Sequence, residues 1–443
     1  MKDYKRFFFV SLWAILIIFI VFEPENSFGE SITYKDVLEF SVQHSPRVKE
    51  KVYDVKIAQS LYNQSLSEFY PQISIGGNIE KFNNLSSASA PIIIGGQIIG
   101  GQPSEWGTSV YLDAEYYLSN WYKKRHEISY YNYVEEAAKE DCKTETKKLL
   151  NDVTDLYAQV VESKIKIKYE NLILDNLSEI YNLKKLAYEK GEISYEELLK
   201  AQLQLESELK EKMSLERELN IRLSSLSWMT GKKFSPDDEF EKISAGMEIE
   251  GSNPVGKIED LSEYRSQLEQ IQAAKEKLES AKLSYLPDVS IYVKYDLYGS
   301  SLNYLDEAFK NLRKTSLTAG VSINMSLFDG GKAKWERTKA QYELEQQKEK
   351  LKTIESEKGI EIDRLNQTYK QLQDDIQKYD NLIGNYRKVL LIEKKAYDLG
   401  ERSKIDLLQE EKDFLTLERD KEVAENTLEA AKRKIEIEIR GGL

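Results

Sequence analysis

The stretch Leu317-Thr318-Ala319-Gly320-Val321-Ser322-Ile323-Asn324-Met325-Ser326-Leu327 alternates without a break between apolar odd positions and small or polar even ones. Successive side chains of a strand point to opposite faces, so a period of two marks a strand with one oily and one wet face. Upstream, Val289, Ile291, Val293, Tyr295 and Leu297 alternate in the same way with Ser290, Tyr292, Lys294 and Asp296. About nine to eleven residues is also the length that crosses a bilayer at a tilt of ~45°. A half-buried strand of a soluble sandwich would alternate identically. Two features favour the membrane: charges on the wet face, and aromatic residues gathered at the segment ends as interfacial girdles are. Val289, Ile291, Val293, Val321, Ile323 and Met325 are therefore assigned to lipid.

The first half of the chain carries the same pattern. Tyr70-Pro71 precedes Ile73, Ile75, Gly77 and Ile79 as Leu286-Pro287 precedes Val289 to Tyr295, and Val110 to Leu118 match Ala319 to Leu327. Asp113 and Glu115 supply its wet-face charges, and Trp106, Tyr117, Trp121 and Tyr122 its flanking aromatics. A fixed offset over a long stretch marks an internal duplication. The reading is two repeats, 30–230 and 261–443, joined by an irregular connector, 231–260, rich in Gly, Ser, Asp and Glu. Strands are expected at about 71–82, 106–118, 288–298 and 316–327. Four strands cannot close a barrel, and an open edge in hydrocarbon leaves backbone groups unpaired at several kcal/mol each. The chain must complete the barrel with copies of itself.

Between Tyr122 and Tyr188 there is no Pro and no Gly. At 1.5 Å per residue that is a helix of about 100 Å, over three times the ~30 Å bilayer core. The second half repeats it. There Ile362, Leu365, Tyr369, Leu372, Ile376, Tyr379, Ile383, Tyr386 and Leu390 step by alternating threes and fours, a coiled-coil seam. The matching seam of the first half, Val153 to Tyr181, is broken by Ser163 and Glu170. Helices are expected at about 46–70, 122–188, 196–228, 261–286, 333–397 and 404–438. The fold class is mainly α with a small membrane β-barrel contribution, the long helices standing in water.

Residues 1–29 read as an export signal: Lys2, Lys5 and Arg6, then an apolar run from Phe7 to Phe22, then Ser27-Phe28-Gly29. The rest of the composition is exclusionary. With two His and one Cys in 443 residues, Cys/His metal sites and Cys/His nucleophile pairs are hard to build. No Gly-rich phosphate loop is present, so neither an enzyme nor a cofactor is expected. A net charge of −13 is the wrong sign for nucleic acid. Cys142 and the two histidines, His44 and His126, are read as structural.

Ser326-Leu327-Phe328-Asp329-Gly330-Gly331, closing a strand and opening a long helix, resembles the TolC-type outer-membrane efflux proteins. So does the paired turn Tyr188-Glu189-Lys190-Gly191-Glu192-Ile193-Ser194 and Tyr397-Asp398-Leu399-Gly400-Glu401-Arg402-Ser403. The resemblance implies a homotrimer with a twelve-stranded barrel and a periplasmic coiled-coil tunnel. It implies a passive exit duct for efflux or type I secretion, with outer-membrane lipid around it. A periplasmic adaptor and an inner-membrane transporter are the implied partners. It further implies a periplasmic gate at Tyr397, Arg402 and Asp406, with Glu197 at the matching carboxylate position and Tyr188 beside it. Gln409 replaces a second carboxylate the family often carries. A carboxylate repeated around a symmetry axis attracts cations and can hold a closed state through Arg. Glu196, Glu197 and Asp406 also suit helix N-termini by simple dipole complementarity. Gly191 and Gly400 read as helix-ending residues, and by resemblance as docking turns for an adaptor hairpin. The competing reading is a periplasmic adaptor or coiled-coil scaffold without a channel.

Overall fold

In the computed structural model, residues 31–81, 92–94, 97–99, 106–244 and 257–440 are described. The expected signal, 1–29, lies outside them, as does most of the first hairpin loop. The chain begins with β1 (Ser31–Ile32), α1 (Tyr34–His44) and α2 (Pro46–Ser67). The strands β2 (Gln72–Lys81), β3 (Ile92–Ile94), β4 (Gln97–Ile99) and β5 (Trp106–Tyr117) follow, then α3 (Asn120–Lys123), α4 (Arg125–Glu189) and α5 (Tyr195–Thr230). After β6 (Glu239–Phe240) come α6 (Ser262–Lys282), β7 (Asp288–Ser301), α7 (Leu305–Lys310), β8 (Lys314–Asn324), α8 (Lys332–Asp398) and α9 (Lys404–Arg440).

Four strands form one antiparallel sheet in the order β2-β5-β7-β8. Its register aligns the odd residues of β2, β7 and β8 with the even residues of β5: Ile75 pairs with Leu112, Ala114 with Val293, and Ile291 with Val321. One face is thus continuously apolar from edge to edge. The long helices α4 and α8 both leave from one end of the sheet. The sheet joins the two halves, because its central pair is β5 with β7.

The long helices have 65 and 67 residues, about 100 Å each at 1.5 Å per residue. Their seam residues are where the cores lie. Leu150, Val153, Tyr157 and Val160 of α4 pack with Leu38, Leu223, Leu226 and Ile437. Nearer the turns, Ile173, Leu177 and Ile180 pack on Leu408. On the other pair, Tyr369 of α8 meets Leu428 and Ile435 of α9. Burying each of these side chains contributes roughly 1.5–3 kcal/mol.

Some expected elements shift. The first long helix is interrupted at Lys124, so a short α3 precedes α4. The connector is not wholly irregular: β6 pairs in parallel with β1, and the Tyr157 hydroxyl is 2.7 Å from the Glu241 carbonyl and 3.2 Å from that of Ile32. The last strand ends at Asn324, so Met325 lies one residue past it rather than on the lipid-facing ladder. Strand β7 runs three residues further than the periodicity predicts, to Ser301. Two helices, α1 and α7, have no counterpart among the elements expected from the sequence.

Candidate functional site: the faces of the sheet and the helical turns

The sheet's apolar face is bare in the single chain. Ile75 is 77% exposed and Ile323 is 70% exposed, with Ile73, Leu112, Ile291, Val293, Leu317 and Val321 exposed beside them. A contiguous apolar sheet of this kind marks a membrane or partner contact. Val289 also lies on this face, opposite Ile323. At the helix end Trp121 stands against Phe69, ring centroids 5.4 Å apart, and its Nε1–H donates to the Tyr116 hydroxyl over 2.8 Å.

The opposite face is wet and ordered. Lys294 sits between Asp296, at 3.0 Å, and the Tyr111 ring, whose centroid is 4.4 Å from Nζ. The Tyr117 hydroxyl donates to Glu115 over 2.8 Å. Two glycines on the edge strands are covered by tyrosine rings from the central strands. A Cβ at Gly76 would collide with Tyr111, and one at Gly320 would come within 2.7 Å of the Tyr292 hydroxyl. Gly76 and Tyr111 are cross-strand partners, as are Tyr292 and Gly320. Flat rings over edge glycines pin strand register.

The two turns are built alike up to the glycine. Gly191 and Gly400 have φ of +75° and +76°, the left-handed region that glycine reaches without strain. Gly191 N–H donates to Tyr188 C=O and Glu192 N–H to Ala187 C=O, both over 2.9 Å. Gly400 donates to Tyr397 over 2.9 Å and Glu401 to Ala396 over 2.8 Å. Each is a complete Schellman motif.

Beyond the glycines they differ. The Asp406 carboxylate folds back on the turn. It accepts from the Ser403 N–H at 3.2 Å and hydroxyl at 2.9 Å, while the Asp406 N–H donates to Ser403 Oγ at 3.1 Å. This is a reciprocal capping box. At the first turn only half of it forms: the Glu197 N–H donates to Ser194 Oγ over 3.3 Å, and the Glu197 side chain is exposed. Arg402 meets neither carboxylate. Its Nε is 3.5 Å from Glu393 Oε2, on α8 of the same hairpin. Tyr397 lies under Lys404, 6.0 Å from Nζ to the ring centroid, and Tyr188 packs on Tyr195 at 5.8 Å. Lys404 Nζ is also 3.9 Å from Glu179 of α4, which ties the two hairpins together. Glu393 and Lys404 are not among the candidates that the sequence offers. Their spacing across a turn leaves no periodic signal.

The polar breaks in the first seam are buried. Ser163 is fully covered, and its Oγ accepts from the Arg222 guanidinium over 2.6 Å. Glu170 is 1% exposed, among Glu208 and Glu211 of α5 and Arg419 of α9. Burial first, then the Glu208 carboxylate, pushes the Glu170 carboxyl up to about 7. His126 joins α4 to α6 through Glu276 at 2.6 Å, and burial raises the Cys142 thiol. Among the described residues there is no cluster of His, Cys, Asp and Glu able to hold a metal ion. None of the described helices is long and apolar enough to cross a membrane.

The family model described as outer membrane efflux protein matches residues 37–232 and 263–436. By sequence alone, no curated protein matches this chain. Several solved structures share the fold. The outer membrane protein VceC of Vibrio cholerae has 17% identity and a TM-score of 0.73, covering 92% of this chain and 96% of its own. The CmeC outer membrane channel of Campylobacter jejuni has 16% identity and a TM-score of 0.75, over 92% and 86%. The open-state MtrE outer membrane channel of Neisseria gonorrhoeae has 15% identity and a TM-score of 0.70, over 92% and 88%.

Proposed function

The chain belongs to the outer membrane efflux protein family and is an exit channel of the outer membrane; from that premise we propose that three copies close one barrel and one helical tunnel. The observation that carries this is the sheet. It has four strands, a bare apolar face, and two edges with no neighbour among the described residues. In hydrocarbon such edges must be paired, and the edges of further copies of the same chain supply the partners. Three copies give a barrel of twelve strands.

The duct is passive. Its wet face carries Asp113, Glu115 and Asp296 against Lys294, an excess of negative charge that repeats with each copy. A ring of this sign favours cations in the pore. Energy for transport comes from an inner-membrane transporter, reached through a periplasmic adaptor that docks at the turns around Gly191 and Gly400. The gate is the helical end, with Tyr188 and Glu197 at the first turn and Tyr397, Arg402 and Asp406 at the second. Arg402 acts there by holding Glu393 and so stiffening its own hairpin. Residues 30–230 and 261–443 are duplicated units, joined by 231–260, and 1–29 is a removed signal.

Planar-bilayer recording of the purified protein tests this reading. Wild type is expected to conduct weakly with cation preference, and Arg402→Ala to conduct several-fold more. Unchanged conductance in that variant would remove Arg402 from the gate. A protein that never conducts would remove the channel.

A further inference from the structure

We propose that α7 is an interfacial anchor that seats the distal rim of the barrel in the phosphate-bearing headgroup layer of the outer leaflet. The inference rests on the lipid-facing reading of the sheet. Three observations place the helix on the apolar face rather than over the pore mouth. A Cβ at Gly299 would strike the Ala308 carbonyl, and Gly299 shares its pleat parity with Val293, Tyr295 and Leu297. The Thr108 hydroxyl, on the face of Val110 and Leu112, donates to the Ala308 carbonyl over 3.1 Å. Ser301, of the same parity, donates to Glu307 over 2.8 Å. The oily face thus turns small and polar at Thr108, Gly299 and Ser301, where the helix covers it.

The level of that contact follows from strand geometry. From Val289 to Gly299 at ~3.4 Å per residue and ~45° tilt is about 24 Å, the height of the apolar band of such barrels. The helix therefore begins where hydrocarbon ends. Its outward residues suit that level. Phe309 is 46% exposed, Leu302 and Tyr304 are exposed just before the helix, and Lys310 and Arg313 follow Phe309 in sequence. Aromatic rings with flanking cations are what a headgroup layer bearing phosphates accommodates. The apolar residues continue the sheet's own lipid contact; Lys310 is held by Asp306 at 3.0 Å and Glu307 by Ser301, so Arg313 is the cation that complements the phosphates.

Site-directed spin labelling of the full chain tests this. In a Cys142→Ser background, a nitroxide is placed at Phe309→Cys. Val321→Cys serves as the hydrocarbon reference and Glu192→Cys as the aqueous one. Relaxation by oxygen and by a water-soluble nickel chelate is read in vesicles of phosphatidylcholine with or without phosphatidylglycerol. The label at 309 is expected between the two references, and to become less mobile when phosphatidylglycerol is present. Arg313→Ser is expected to abolish that lipid dependence. A 309 label as open to the chelate as the 192 label, with 321 in hydrocarbon, overturns the anchor alone. An aqueous reading at 321 overturns the sheet assignment, and the anchor with it. Lipid dependence that survives Arg313→Ser overturns the role of charge.

Discussion

Ile323 and Leu317 test the sheet at the scale of one side chain. Ile323 is 70% exposed in the lone chain and pairs with Val289 in the ladder. Arginine near the bilayer midplane costs about 2–4 kcal/mol in barrels of this kind. Ile323, beside Val289 at one end of the apolar band, is expected to tolerate arginine at about 0–1 kcal/mol, whereas Leu317→Arg, opposite Tyr295 near mid-band, is expected to lower unfolding stability in liposomes by about 2–4 kcal/mol and to reduce assembled protein. Normal assembly of the Leu317 variant would count against the lipid-facing assignment. Glu170 tests the helices. Its carboxyl rises from 4.5 to about 7, so the folded chain keeps a proton that the unfolded chain releases. Stability should then be greatest below that window and fall as pH climbs through it. The Glu170→Gln variant should lose this slope and melt higher than wild type above pH 7. Parallel melting curves for the two proteins from acid to neutral would refute the buried proton.

At the scale of elements, the tightest test is the second turn. Gly400 has φ of +76°, and no atom lies within 4 Å of where a Cβ would stand, so alanine meets no clash there. Its penalty is backbone strain alone, about 1–2 kcal/mol. Gly400→Ala should speed hydrogen exchange at the turn and leave the strands unchanged; unaltered exchange there would show the left-handed geometry is not what holds the hairpin. Elements are also where the sequence is most and least legible. The strands are readable because a period of two runs through most of their length, and the long helices because no Pro or Gly falls between Tyr122 and Tyr188 and a three-four seam runs through the second half. The turns are readable because glycine marks the left-handed position. Helix α7 is not, since six residues between two strands are too few to show a period. Helix α1 does carry a signal at its start: Thr33 accepts from the Asp36 N–H over 3.2 Å, the opening of a capping motif. The Arg402–Glu393 pair is invisible in the sequence, because its partners are joined by a reversal rather than by a repeat. Ser163 and Glu170 stand out as seam breaks, but only the packing shows that one accepts from Arg222 and that burial raises the carboxyl of the other.

For the whole molecule, the open edges of β2 and β8 make association a requirement of the membrane state. The oligomer on unheated gels should therefore persist with or without reductant, since Cys142 is the one thiol of the chain and lies part-buried in α4. Dissociation by reductant alone would mean that a covalent link, and not strand pairing, holds the copies. The covered glycines carry a further consequence. In the first hairpin the glycine is on the first strand and the ring on the second; in the other hairpin the order is inverted. A crossover within the hairpins that joined β2 to β8 would set glycine beside glycine, and one that joined β7 to β5 would bring two rings and no glycine to receive them. Each glycine and its covering ring therefore belong to one hairpin, and an exchange that keeps both pairs moves a whole ribbon rather than a single strand.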